Sequence, residues 1–298
     1  MTLLATIVVP TYARADLLPL SLPTLLAQSV APDRYEVVVV DDASPDDTAG
    51  AVLPFVGDRV RYIRQERRRG ASAARNAALA VARGDVVVLV DDDCFVDRRF
   101  LECHLMAHEQ GASELAAGGI VNVSTLPTPV PEPGAWQGYH RHPMPGGNAS
   151  VRREHLERVG GFDESFSIYG WQDQEVAERL LAAGLRRRFV RGAPVFHFKP
   201  PSRASLRADL ERELDRGRMG ARFYHKHPRT MIAMTTKMWA PIRAAERVAN
   251  GLLGLEDRAR RVLAGEVDAS RTGLAAALLR AHVEIEAGRR EWRRLRGG

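Results

Sequence analysis

Three aliphatic runs set the frame of this chain. ATIVVPTY, YEVVVVDDASPDDT and VVVLVDDDCFVD each hold consecutive β-branched or leucine positions with no polar alternation. A strand with one wet face alternates apolar and polar residues, so unbroken runs predict strands covered on both sides. Between the first two runs, DLLPLSLPTLLAQ predicts a helix kinked or broken at its prolines, and Asp46 or Thr48 starts a second. A short strand over about 60–64 and an alanine-rich helix over about 72–82, stopped by Gly84, lead to the third run. Strands and helices in alternation predict an α/β, Rossmann-like architecture, with a mostly parallel central sheet flanked by helices. In such sheets ligands bind beyond the carboxyl ends of the strands. Pro10, Thr11 and Tyr12, then Asp41 and Asp42, then Asp91, Asp92 and Asp93 are therefore expected along one edge.

From about Ala116 the pattern loosens. A strand runs through Val123, and a Pro-rich connection of roughly 20 residues follows, longer than usual and holding Trp136, Tyr139, His140 and His142. A helix is predicted over about 173–183, closed by Gly184. RRRFV and PVFHF read as two short strands, and after Pro200 and Pro201 the chain turns helical to its end.

Composition narrows the class. At 298 residues, 45% hydrophobic and 27% charged, the chain is an ordinary globular protein with room for a full core. Its 2 cysteines, Cys94 and Cys103, are too few for a disulfide framework and suit a reducing compartment. No basic residue precedes the first apolar run, which argues against a signal peptide, and no stretch approaches the ~20 apolar residues of a membrane span. The expected location is cytoplasmic, with peripheral contact on the inner membrane face.

Charge divides the chain in two. From Ser202 onward 21 Lys/Arg stand against 12 Asp/Glu, which is +9, leaving −3 for residues 1–201. Two units follow, 1–201 and a basic helical 202–298. In the second, Ile242, Val248, Leu252, Leu253, Leu255 and Val262 recur at helical spacing, as for helices packed on the rest of the chain or on a second subunit in a homodimer. RREWRRLRGG, basic around a tryptophan, has the character of an interfacial segment beside anionic lipid. No nucleic-acid recognition motif with interleaved aromatics occurs in the tail, so no nucleic-acid partner is expected.

The acidic strand exits carry the candidate chemistry. Hard divalent cations take carboxylate oxygens and leave positions open for phosphate, so Asp91 and Asp93 suit Mg²⁺ or Mn²⁺ on a diphosphate. On an extended segment these two share a side and Asp92 faces away. An acidic turn capping the next helix is the plain alternative. Asp42 offers an acceptor for a pyrimidine N–H and Tyr12 a ring for stacking, although Asp42 also suits a turn with Ser44. Arg75 and Asn76 face either the same ligand or solvent. Asp173 opens a helix, where the backbone favours a carboxylate with or without catalysis. Gly170 and Trp171 before it would form a flat platform for a sugar ring. His197, between aromatics, is either a core histidine or a nitrogen ligand for Mn²⁺.

Five stretches carry a family resemblance in order: IVVPTYARADLLPLSLPTLLAQ, EVVVVDDASPDDT, RRGASAARNAALAVARGDVVVLVDDDC, GGNASVRREHLERVGGFDESF and GWQDQEVAERLLAAGLRRRFVRGAPVFHF. Over roughly residues 5–198 the chain resembles the inverting family-2 glycosyltransferases of the GT-A fold. The resemblance implies a nucleotide-diphosphate sugar donor, a UDP-sugar first, with its base near Pro10, Thr11, Tyr12 and Asp42 and its nucleotide reaching Arg75. It places Asp91 and Asp92 toward the donor, Mn²⁺ or Mg²⁺ on Asp93 with Asp91 and His197, and the general base at Asp173. Acceptor contacts are implied at Trp171, Gln172, Gly147 and Asn148, and the acceptor itself is a glycan, a lipid-linked sugar or a small molecule. Gln172 departs from the glutamate common at that position, which weakens a role there in binding the acceptor or tuning the base. The implied division is a nucleotide-sugar half over about 1–123 and an acceptor half over about 124–201. The resemblance stops near Pro200 and is silent on the tail. Two other classes share features: a sugar-nucleotide nucleotidyltransferase, whose Gly-rich phosphate loop VVPTYARADLL lacks, and a non-enzymatic nucleic-acid- or membrane-binding protein using the basic tail.

Overall fold

The computed structural model describes residues 4–109, 111, 113–131, 144–200, 205–267 and 272–297. Trp136, Tyr139, His140 and His142 lie outside them. The chain opens with β1 (Ala5–Thr11), α1 (Leu18–Leu26), β2 (Tyr35–Asp41), α2 (Thr48–Val52), β3 (Val60–Arg64), α3 (Ala71–Leu79) and β4 (Val86–Leu89). It continues through β5 (Cys94–Val96), α4 (Phe100–Glu109), β6 (Glu114–Val123), β7 (Ala149–Arg152), α5 (Arg153–Arg158), α6 (Gln172–Ala182) and β8 (Arg186–Phe198). Five helices complete it: α7 (Leu206–Lys226), α8 (Thr230–Thr235), α9 (Ala240–Leu253), α10 (Leu255–Ala264) and α11 (Leu274–Gly297).

The eight strands among the described residues form one sheet in the order β3-β2-β1-β4-β7-β6-β8-β5. The β1–β2, β2–β3 and β1–β4 pairs are parallel, as expected of the Rossmann-like half. Beyond β4 the sheet becomes mixed, with β7 antiparallel to both β4 and β6, β8 parallel to β6, and β5 antiparallel to β8. The two strands expected over RRRFV and PVFHF are one, β8, whose pairing with β6 shifts register between Gly118 and Ile120.

Alternate residues of the aliphatic strands feed two cores. Ile7, Val9, Val37, Val39 and Val88 meet α1 and α4 through Leu18, Leu22 and Phe100. Val8, Val38, Val40, Val87 and Leu89 meet α3, α5 and α6 through Ala74, Leu156 and Val176. Both sheet faces are therefore dry, which is why no polar residue interrupts these runs.

The chain divides into two compact units: one of residues 1–167 and 172–201, the other of 168–171 and 202–298. In the second, α7, α10 and α11 share an apolar core built on Leu206, Leu210, Leu255, Val262, Leu279 and Val283. Gly217 lets α7 approach α11 closely, since a Cβ there would stand 2.1 Å from the Glu284 carbonyl oxygen. Of the apolar positions expected to pack, Leu255 and Val262 are buried, whereas Val248, Leu252 and Leu253 are exposed. The C-terminal tryptophan is not free for a membrane: Trp292 stacks on Tyr224 at 5.0 Å, and its neighbour Glu291 is buried against Arg222 and Arg294. No helix among the described residues is long and apolar enough to cross a membrane.

Candidate active site

The parallel strands β1, β2 and β4 end side by side, and their exits are tied together. The Asp42 amide donates to the Thr11 carbonyl at 2.9 Å, and Thr11 Oγ1 donates to Asp92 Oδ2 at 2.7 Å. Asp41 is fully buried, held by Tyr62, Arg64 and the Ser44 amide, and so is a structural carboxylate. Asp42 accepts the Arg69 and Gly70 amides, each at 2.7 Å. Each of its oxygens keeps a second lone pair. Pro10 stands opposite Val40, one position before the β1–β2 ladder ends at Thr11 and Asp41. The Tyr12 ring, expected under a base, carries the Arg68 guanidinium on one face, 3.9 Å from its centroid.

The three aspartates lie in a turn after β4 rather than on an extended strand, and an arginine stands beside each of them. Asp91 Oδ1 takes Arg75 Nη2 at 3.1 Å. Asp92 faces Thr11 and Arg14 Nε, and Asp93 meets His197 Nε2 at 3.1 Å and Arg14 Nη2 at 3.5 Å. Burial pushes the Asp92 carboxyl up to about 7, against the pull of Thr11 and Arg14 and with the help of Asp93 and Asp91. Asp91 is raised in the same way by desolvation and by the Asp173 and Asp93 charges, with Arg75 opposing. Arg14 had no place in the sequence expectations. Its signal was a lone cation four residues past Pro10 in the β1–α1 loop.

Arg75, expected in the nucleotide pocket, joins two of the other expected site residues. Its side chain is 3% exposed, and its two terminal nitrogens bridge Asp91 and Asp173, the latter at 2.9 Å. The second Asp173 oxygen accepts the Gly146 amide at 3.0 Å. A Cβ on Gly146 would lie 2.3 Å from Arg75 Nη2, and one on Gly147 would lie 2.7 Å from Asp91 Oδ2. Only glycine lets this backbone pass so close.

Of the residues expected at the acceptor, Asn148 and Trp171 both have partners within the protein. Asn148 is fully buried, its Nδ2 donating to the Gly119 and Ala193 carbonyls at 2.8 Å and its Oδ1 bonded to His104 Nε2 at 2.9 Å, so it knits strands together and offers nothing to a ligand. The Trp171 ring is engaged inside the helical unit, stacked on Phe223 at 5.7 Å with Nε1–H on the Arg216 carbonyl at 3.0 Å. Gln172 opens α6, and its buried Oε1 has no hydrogen-bond partner among the described residues.

For a divalent cation the donor set is two carboxylates, Asp91 and Asp93, and the His197 imidazole, a mixture that suits Mn²⁺. Among the described residues no three His, Cys, Asp or Glu side chains close into a metal cage. Mg²⁺ and Mn²⁺ sites on diphosphates are completed by substrate oxygens and water, so the residues fit such an ion.

A parallel half-sheet, an acidic turn at its central strand exit and a carboxylate at the start of α6 are the layout of a GT-A glycosyltransferase. The sequence profile of glycosyl transferase family 2 matches residues 6–161, and that of the N-terminal domain of galactosyltransferase matches 138–200. The chain belongs to glycosyl transferase family 2. Among relatives, it is 25% identical over 268 residues to the uncharacterized glycosyltransferase YfnE of Bacillus subtilis, covering 69% of this chain and 67% of that one. It is 29% identical over 220 residues to validoxylamine A glucosyltransferase of Streptomyces hygroscopicus subsp. limoneus, covering 61% and 49%. The E. coli chondroitin synthase is 27% identical over 240 residues, 66% of this chain and 35% of its own length. The chain thus spans between about a third and two thirds of these relatives. Its fold is that of mannosyltransferase PcManGT from Pyrobaculum calidifontis, solved with GDP-Man and Mn²⁺, at a TM-score of 0.64 and 23% identity over 98% of this chain and 87% of that one. S. aureus TarS with UDP-GlcNAc gives 0.57 and 17% over 99% and 92%.

Proposed function

We propose that the protein moves a sugar from a nucleoside-diphosphate donor to an acceptor hydroxyl with inversion, Asp173 acting as general base. The observation that carries this reading is the Arg75 bridge, which fixes one oxygen of Asp173 while the Gly146 amide fixes the other. A base so oriented keeps a lone pair on each oxygen for the hydroxyl proton. Gln172, which opens α6 just before Asp173, would meet a second hydroxyl of the acceptor sugar through its amide. Asp42, an acceptor on a rigid strand end, suits the ring N–H that uracil and guanine both present, and UDP-sugars are the first donors to test. Asp91, Asp93 and His197 would hold Mn²⁺ or Mg²⁺. That ion would supply Lewis-acid stabilisation of the charge growing on the departing diphosphate. Arg14, 41% exposed and already between Asp92 and Asp93, is placed to neutralise the same oxygens.

The test is Asp173→Asn. Loss of a general base is expected to lower transfer by about 10²- to 10⁴-fold, with nucleoside-diphosphate affinity by calorimetry unchanged. Turnover kept at the wild-type rate removes Asp173 from the role. Chelation of divalent ions should abolish diphosphate release, and added Mn²⁺ should restore it.

A further inference from the structure

Helix α9 is turned inside out. At about 3.6 residues per turn, Pro241, Ala244, Ala245, Val248 and Leu252 fall on one stripe. All five are exposed, Val248 by 63% and Leu252 by 79%. The residue of α9 that is buried is Glu246, on the opposite face, whose Oε1 meets His282 Nδ1 at 2.6 Å and whose Oε2 lies 3.6 Å from Arg289. A polar anchor therefore holds this helix to its unit, and its apolar stripe points to the outside. Met231, Met234 and Trp239, just ahead of α9, are exposed as well. Basic side chains stand close by in sequence. Arg247 and, one turn into α10, Arg258 are exposed, and neither has an ion pair among the described residues.

We infer that α9 is a docking surface for an anionic lipid bilayer, with the Pro241 to Leu252 stripe against the acyl boundary and Arg247 and Arg258 on headgroup phosphates. Binding of this kind scales with buried apolar area plus attraction to anionic lipid. The chemistry favours lipid over a second copy of the chain. A stable protein interface needs about 800 Å² on each side, more than one helix ~21 Å long presents. A two-fold contact would also set arginines against arginines in a region already at +9. Trp292, the residue the sequence offered for this role, is packed on Tyr224.

The experiment sediments the full chain with phosphatidylcholine vesicles, with and without phosphatidylglycerol, across a salt series. The chain should pellet with the phosphatidylglycerol vesicles alone and be released by salt. Val248→Asp with Leu252→Asp should weaken that binding by about tenfold or more, and Arg247→Glu with Arg258→Glu should remove its dependence on phosphatidylglycerol. Far-UV circular dichroism and nucleoside-diphosphate affinity serve as fold controls and should match wild type in both variants. The inference fails if the wild type stays in the supernatant with both vesicles, or if the aspartate pair leaves pelleting unchanged. A dimer in light scattering that the aspartate pair converts to monomer would assign the stripe to a second copy and overturn it too.

Discussion

Arg75 has the least replaceable chemistry in the site. Its planar fork reaches two carboxylates at once, and lysine offers a single point charge in its place. Arg75→Lys is therefore expected to keep the fold and lose about 10- to 100-fold in kcat, with a smaller effect on donor affinity, as steady-state kinetics would read. Gly146→Ala makes the same point from the backbone, because its methyl would stand 2.3 Å from Arg75 and 2.6 Å from Asp173. Displacing the proposed base by about an ångström would cost on the order of 10² in rate, so a folded, nucleotide-binding and nearly inactive enzyme is the expected result. A Gly146→Ala enzyme with wild-type kcat would mean that the Asp173 geometry does not matter. The sequence exposed Asp91, Asp173 and Arg75 one by one, as polar groups where strands end and helices begin. It could not expose their union, since Arg75 and Asp173 are 98 positions apart and each has an ordinary surface reading. Arg14 stayed hidden for the same reason.

Helix α4 shows what a buried element demands of its polar groups. His104 Nε2 bonds to Asn148 Oδ1, so that nitrogen carries the proton and Nδ1 accepts from Ser150 Oγ at 2.8 Å. His108 Nε2 then donates to the same hydroxyl, and its Nδ1 has no partner among the described residues. Desolvation pulls His104 down to about 4 and, joined by the repulsion of His104 and Arg152, His108 down to about 3. Both are neutral in the fold and gain a proton in the unfolded chain below about 6.5. The unfolded state therefore binds more protons as pH falls, and stability drops from about pH 6.5 to about 4, by on the order of 3 kcal/mol for His104 alone. Urea titrations across that window should give a shallower pH slope for His104→Gln than for wild type. An identical slope would place the acid sensitivity elsewhere. No sequence period announces this network, because a histidine inside an apolar helix face is silent about its partners. The strands were legible where an aliphatic run is unbroken, as in β1, β2 and β4; β8 read as two pieces, and three-residue β5 not at all, since its partner lies some hundred positions on.

At the scale of the molecule, the division of the chain is not a single cut near residue 201. Residues 168–171 belong with the helical unit although catalytic-unit residues flank them on both sides. Trp171 is held there at a φ of 67°, a left-handed conformation that bulky residues rarely adopt, by its stack on Phe223 and its bond to the Arg216 carbonyl. Asp173, the proposed base, follows two positions later, so the chain just ahead of it belongs to the helical unit. The helical unit is then expected to matter for transfer and not for donor binding. Trp171→Gly accepts the backbone conformation and loses the stack, and it should lower kcat by about tenfold or more with nucleoside-diphosphate affinity unchanged. Removal of residues 202–298 takes away Phe223 and Arg216 and should lower kcat further, provided that circular dichroism and nucleotide binding report the remaining chain folded. If that folded chain turns over at the wild-type rate, the grip on Trp171 contributes nothing to the reaction, and the helical unit serves docking alone.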